Sequence, residues 1–115
     1  IGIGPFVIEP AVSRKIGKTA FTEMTLTPTK WKSANWAKEK GLFSEVFDTI
    51  EALDENLQNF ATELSSYHPE ALVEMKKVFW EGTNHWEHLL YERASISGRL
   101  VLSNFTKQAL EKFKK

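Results

Sequence analysis

The sequence predicts a mainly α protein, with about six helices and one short strand. Three observations support this. Apolar residues recur at helical spacing, most clearly as Ile50, Leu53, Leu57, Phe60, Leu64 and Tyr67, a series that lays one stripe along one helix face. Capping and stopping residues stand at the ends of such stretches, among them Ser33, Thr49, Pro69 and Ser103 before them and Gly17, Gly41 and Gly82 after them. Only one segment, Leu42–Phe47, reads as extended, with Val46 and Phe47 in a short apolar stretch.

In chain order, the opening Gly2-Ile3-Gly4-Pro5 is non-helical, because proline forces the residue before it into an extended conformation. A helix is expected over Glu9–Ile16, with Pro10 in its first turn, where a missing N–H costs nothing, and Gly17 as its stop. A second helix, Thr19–Leu26, turns Ala20, Phe21, Met24 and Leu26 inward, and Thr27-Pro28-Thr29 breaks the chain after it. Ser33 caps Ala34–Lys40. The strand candidate follows, and then Asp48-Thr49 cap the long stripe from Ile50. His68-Pro69 ends that helix and starts the next, which carries Leu72, Met75, Val78 and Phe79. Thr83 or Asn84 is the expected cap of a helix bearing Trp86, Leu89, Leu90, Ile96, Leu100 and Val101, with Gly98 inside it. A glycine there costs about 1 kcal/mol relative to alanine, which suggests a second backbone passing close by. Ser103 caps a last helix with Phe105, Ala109 and Phe113 on one face.

The length of 115 residues suits a single domain. Fifteen Lys plus Arg balance fifteen Asp plus Glu, and this zero net charge argues against a nucleic-acid partner, which needs a basic surplus. With no cysteine, disulfides, thiolate metal sites and cysteine nucleophiles are excluded. No apolar run is long enough to span a membrane, and the expected compartment is the cytoplasm. The start at Ile1, without Met or a charged leader, reads as a cut in a longer chain rather than as a signal peptide. Four Trp, two Tyr and eight Phe are a large aromatic load for this length, and Ile1, Ile3, Phe6, Val7, Ile8, Trp31 and Trp36 have little to pack against. The chain is therefore expected to expose apolar area and to need a partner surface.

Few residues suggest chemistry. His85 and His88 are three apart, so His85-Trp86-Glu87-His88 is not the four-apart zinc motif. His85, His88 and Glu92 share a helix face, which fits either a divalent-metal set or a solvated face beside Trp86; the solvated face is the expectation, with no metal and no other cofactor. Gly2 and Gly4 match no phosphate-loop spacing, and no serine stands in a Gly-x-Ser-x-Gly elbow. Glu9 begins a helix, where the dipole favours a carboxylate; it is also the one candidate for an acid or base beside the opening loop. Phe113 with Lys112, Lys114 and Lys115 combines a stacking ring with ammonium groups, which suits a nucleotide or phosphate ligand as well as a solvated C-terminus.

Taken in order, the landmarks are more informative. Gly2-Ile3-Gly4-Pro5 leads through a helix to Lys15-Ile16-Gly17, and Ala20-Phe21-Thr22-Glu23-Met24-Thr25-Leu26-Thr27 follows. Next come Ser33-Ala34-Asn35-Trp36-Ala37-Lys38-Glu39-Lys40-Gly41-Leu42, the Val46-Phe47 pair, the long helix from Ile50, and Tyr67-His68-Pro69-Glu70-Ala71 with Met75-Lys76-Lys77. This succession resembles the C-terminal part of the enoyl-CoA hydratase/isomerase (crotonase) family, along essentially the whole chain.

The resemblance implies the helical trimerisation region of a crotonase fold without its ββα spiral core. Residues 1–17 would then be the end of the core, comprising the acyl-pocket loop and its helix, and residues 18–115 the helical oligomerisation region. Gly2, Gly4, Pro5 and Phe6 would edge the acyl pocket, and Phe113, Lys114 and Lys115 would meet coenzyme A. Family members bind acyl-CoA thioesters and hold the enolate oxygen with two backbone N–H groups, while two glutamates handle water in the hydratases. Those groups lie upstream of the loop, so the chain alone is expected to be inactive. Glu9 is the only candidate acid within it, since Phe6 occupies the place after the loop proline. The implied partners are copies of the chain, as a trimer or dimer of trimers, and an acyl-CoA. An isomerase parent and a stand-alone helical interaction module remain alternatives.

Overall fold

Helix α1 (Glu9–Leu26) starts where Pro10 fits the first turn, and it is two helical halves joined at Gly17. Gly17 has φ 75° and ψ 158°, a conformation essentially restricted to glycine, so the expected stop is a sharp bend with no intervening loop. The computed structural model describes residues 2–112, and among them it contains six α-helices and no strand.

Helix α2 (Ala34–Glu39) is capped by Ser33 Oγ, which accepts the Trp36 N–H at 3.0 Å. Its end corrects the expectation of a strand over Leu42–Phe47. Gly41, at φ 79°, lets its own N–H reach Lys38 O and the Leu42 N–H reach Ala37 O, at 2.9 and 2.8 Å. Phe43 N–H also donates to Ala37 O. The first donors of the segment thus close a helix, and no second strand stands beside it to form a ladder. Val46 and Phe47 are half-buried in irregular chain.

Helix α3 (Ile50–Ser65) is capped by Thr49 Oγ1, which accepts from Ala52 N–H at 3.1 Å. Helix α4 (Pro69–Phe79) begins at Pro69, and His68 Nδ1 accepts the Ala71 N–H at 3.3 Å. Helix α5 (Trp86–Val101) departs from expectation at its start. His85 is its N-cap residue and makes no side-chain cap; Thr83 instead donates its hydroxyl to Trp80 O at 2.7 Å and accepts the Trp86 N–H through its carbonyl. Nor does a second backbone approach Gly98, where a Cβ would meet nothing within 4 Å. Helix α6 (Asn104–Glu111) is capped by Ser103 as expected.

The helices form an open array. The radius of gyration is 18.8 Å, against about 13 Å for a compact chain of this length. The accessible surface is 9597 Å² for 13.2 kDa, where a compact monomer would show about 6,400 Å². Among the described residues the buried ones are Ile16, Ala20, Ala37 and Thr106, which come from α1, α2 and α6. Along α3, Ile50, Leu53, Leu57 and Phe60 are all exposed, as are Tyr67 just past its end and Met75, Val78 and Phe79 on α4. Leu26, expected inside, is also exposed.

Polar contacts from α1 tie the array together. Glu9 reaches Arg93 on α5 at 3.8 Å, Arg14 Nη2 donates to Phe79 O at the end of α4 at 2.5 Å, and Lys15 Nζ donates to Leu42 O at 2.9 Å. Among the described residues no helix is long and apolar enough to cross a membrane.

Candidate functional site

The opening loop builds one wall of an apolar groove. Gly2 has φ 83°, and the Phe6 N–H donates to Gly4 O at 2.9 Å, which closes a tight turn around Pro5. The Phe6 ring folds back over Gly4, where a Cβ would stand 2.9 Å from the ring. Glu9 N–H then donates to Pro5 O at 3.1 Å, and the helix begins. The bend at Gly17 angles the second half of α1 away from the first, and the groove lies beside both. It has a volume of about 700 Å³ and is walled by Gly2, Ile3, Gly4 and Pro5 of the loop, Ile8 and Val12 before the bend, and Phe21, Met24, Thr25 and Pro28 beyond it.

Among the described residues no ionisable side chain lines this groove. It is suited to receiving an apolar group of modest size. Glu9 stands outside it. One carboxylate oxygen accepts the Ser13 hydroxyl at 2.9 Å and the other faces Arg93 at 3.8 Å, so the side chain serves the joint between α1 and α5. Of the loop residues Gly2, Gly4, Pro5 and Phe6, the first three line this groove, while the Phe6 ring packs against Gly4 and does not line it. Phe113, Lys114 and Lys115 lie outside the described residues.

His88 Nδ1 sits 3.8 Å from Glu92 Oε2 on an exposed face of α5. Among the described residues no three His, Cys, Asp or Glu side chains are close enough together to hold a metal ion.

Three features of the surroundings were not evident in the sequence. The first turn of α6 packs against the loop at Gly2, a long-range contact with no local signal. A second groove of about 700 Å³ runs between Phe43 and Phe47 and the exposed α3 stripe at Leu53, Leu57 and Phe60. The third is a small cluster around Glu23. Lys32 pairs with Glu23 and also lies 5.2 Å from the centre of the Trp36 ring. The hydrogen bond from Lys32 holds the Glu23 carboxyl below its ordinary pKa, outweighing a smaller desolvation effect in the other direction. Just past α3, Tyr67 donates its hydroxyl to Glu63 in the last turn of that helix at 2.5 Å; that bond, with some desolvation and the nearby negative charge, raises the phenol.

No protein-family model matches the chain, and neither a curated protein nor a solved structure does.

Proposed function

We propose that this chain is the C-terminal helical region of a crotonase-type acyl-CoA enzyme, with enoyl-CoA hydration as the activity of the whole fold. Its own part is to assemble subunits and to shape the acyl end of the site. The observation that carries this reading is the apolar groove walled by Gly2–Pro5 and both halves of α1, where the resemblance puts the acyl edge. Two further features support it. The motifs from Gly2-Ile3-Gly4-Pro5 to Met75-Lys76-Lys77 fall in family order along the chain. The exposed stripes of α3 and α4 suit helices that cover a neighbouring subunit in a trimer.

The reading gives the chain no acid–base step, in keeping with a groove whose lining among the described residues is not ionisable. Water addition would fall to glutamates and oxyanion donors upstream of the loop, the coenzyme A end to Phe113, Lys114 and Lys115, and the setting to the cytoplasm. Titration calorimetry with octanoyl-CoA and free coenzyme A tests it. Octanoyl-CoA is expected to bind more tightly than free coenzyme A, and Val12→Asp, which puts a charge in the groove wall, is expected to remove the difference. Equal affinities for the two ligands in the unaltered chain would overturn the reading in favour of a helical interaction module.

A further inference from the structure

Gly2 and the first turn of α6 are pressed together. A Cβ on Gly2 would lie 2.7 Å from Phe105 Cδ1 and 2.8 Å from Thr106 Oγ1, so only glycine fits between them. Thr106 is 0% exposed, while Phe105 beside it is exposed and Ala109 is only half-buried. Burial here is confined to one side chain. The Thr106 hydroxyl meets Ser103 Oγ at 3.1 Å, and its N–H donates to the same oxygen at 3.2 Å. The cap of α6 and its seat under the loop therefore share one residue.

Gly2 belongs to the groove wall, whereas Phe105 and Thr106 do not line the groove. The loop is held at both ends: at Gly2 by α6, and at the start of α1 by the Glu9–Arg93 pair from α5. Helix α6 itself packs on α5, so the loop closes a ring of contacts through these two helices.

We infer that Thr106 is a positioning residue for the groove: seated under Gly2, it makes α6 the latch of the loop wall. Occupancy of the groove and docking of α6 are then linked equilibria, and whatever strengthens one strengthens the other by the same factor. The linkage rests on these contacts, and only the choice of an acyl ligand rests on the function proposed above.

Hydrogen exchange on the intact chain tests it. The reporter amides are Phe6 and Glu9, which donate to Gly4 O and Pro5 O within the loop. Thr106→Arg is expected to speed their exchange about tenfold and to leave the α3 amides unchanged. Phe105→Ala, a milder variant that keeps the helix, should act in the same direction by less. Unchanged loop amides beside faster α6 amides would overturn the inference, as would equal acceleration throughout the chain, which would make Thr106 a general stability residue. In the unaltered chain, octanoyl-CoA is expected to slow exchange in α6. Binding without that slowing would overturn the latch, whereas absence of binding would count against the acyl reading and leave the loop amides to decide the latch.

Discussion

The region around α1 and the pair α3–α4 reach helical structure by different routes. Helix α3 has the more regular apolar stripe, yet Leu57 remains 58% exposed and Phe60 54% exposed. Its helical form is explained by local terms: the Thr49 cap, continuous periodicity and a run without Gly or Pro. Helix α1 has a glycine in its middle and a weaker stripe, yet it supplies Ile16 and Ala20 to the small core and carries the ties to α4, α5 and Leu42. A well-patterned helix face is therefore not by itself a buried one. Which surface covers it depends on tertiary contacts that periodicity does not encode.

The largest effect should separate the two regions. Ile16→Ala is expected to cost about 3 kcal/mol, the ordinary penalty for emptying a buried aliphatic site. Leu57→Ala should change the stability of the isolated chain by less than about 0.5 kcal/mol. Urea denaturation of the two variants, at a concentration low enough for the chain to be monomeric, checks both, and equal costs there would mean that α3 is buried within the single chain.

Two glycines sharpen the contrast. Gly17→Ala puts a Cβ on a residue at φ 75° and should cost about 2 kcal/mol. Gly98→Ala falls in a regular helix with open space around it and should add up to about 1 kcal/mol. Thermal melts followed by circular dichroism should move in opposite directions. The caps come next. Thr49→Ala should cost about 1 kcal/mol, whereas Ser103→Ala also removes the partner of the buried Thr106 hydroxyl and should cost more. Urea denaturation would rank them.

The smallest effect is one of pH. The folded-state pKa of Glu23 is lowered, so its contribution to stability is present above the unfolded carboxylate range and is lost as pH falls through the folded value. A carboxyl-carbon titration should place the Glu23 midpoint below the ordinary glutamate range, and Lys32→Ala should bring it up into that range.

Much of the fold was legible because local chemistry decides it. Ser33, Thr49 and Ser103 cap where expected, Pro69 starts α4, and Gly17 and Gly41 end or bend helices at positive φ. The strand over Leu42–Phe47 was misread because an apolar run carries no information about whether a partner strand exists, and the first N–H groups of that run are used to cap α2. Gly98 suggested a close backbone, but the chain alone places none there. At the groove, the loop could be picked out from its glycines and proline. The turn of Glu9 toward Arg93 and the seat of Thr106 under Gly2 bring together residues far apart in sequence, with no repeat or spacing to mark them.

The central claim is that the exposed faces of α3 and α4 are surfaces for assembly. Sedimentation velocity of the purified chain tests it most directly, with Leu57→Asp as the comparison. The account predicts an associated species whose mass is a multiple of 13.2 kDa, dissociated in the variant without loss of helix content. A monodisperse monomer with a compact frictional ratio, unchanged by Leu57→Asp, would contradict it.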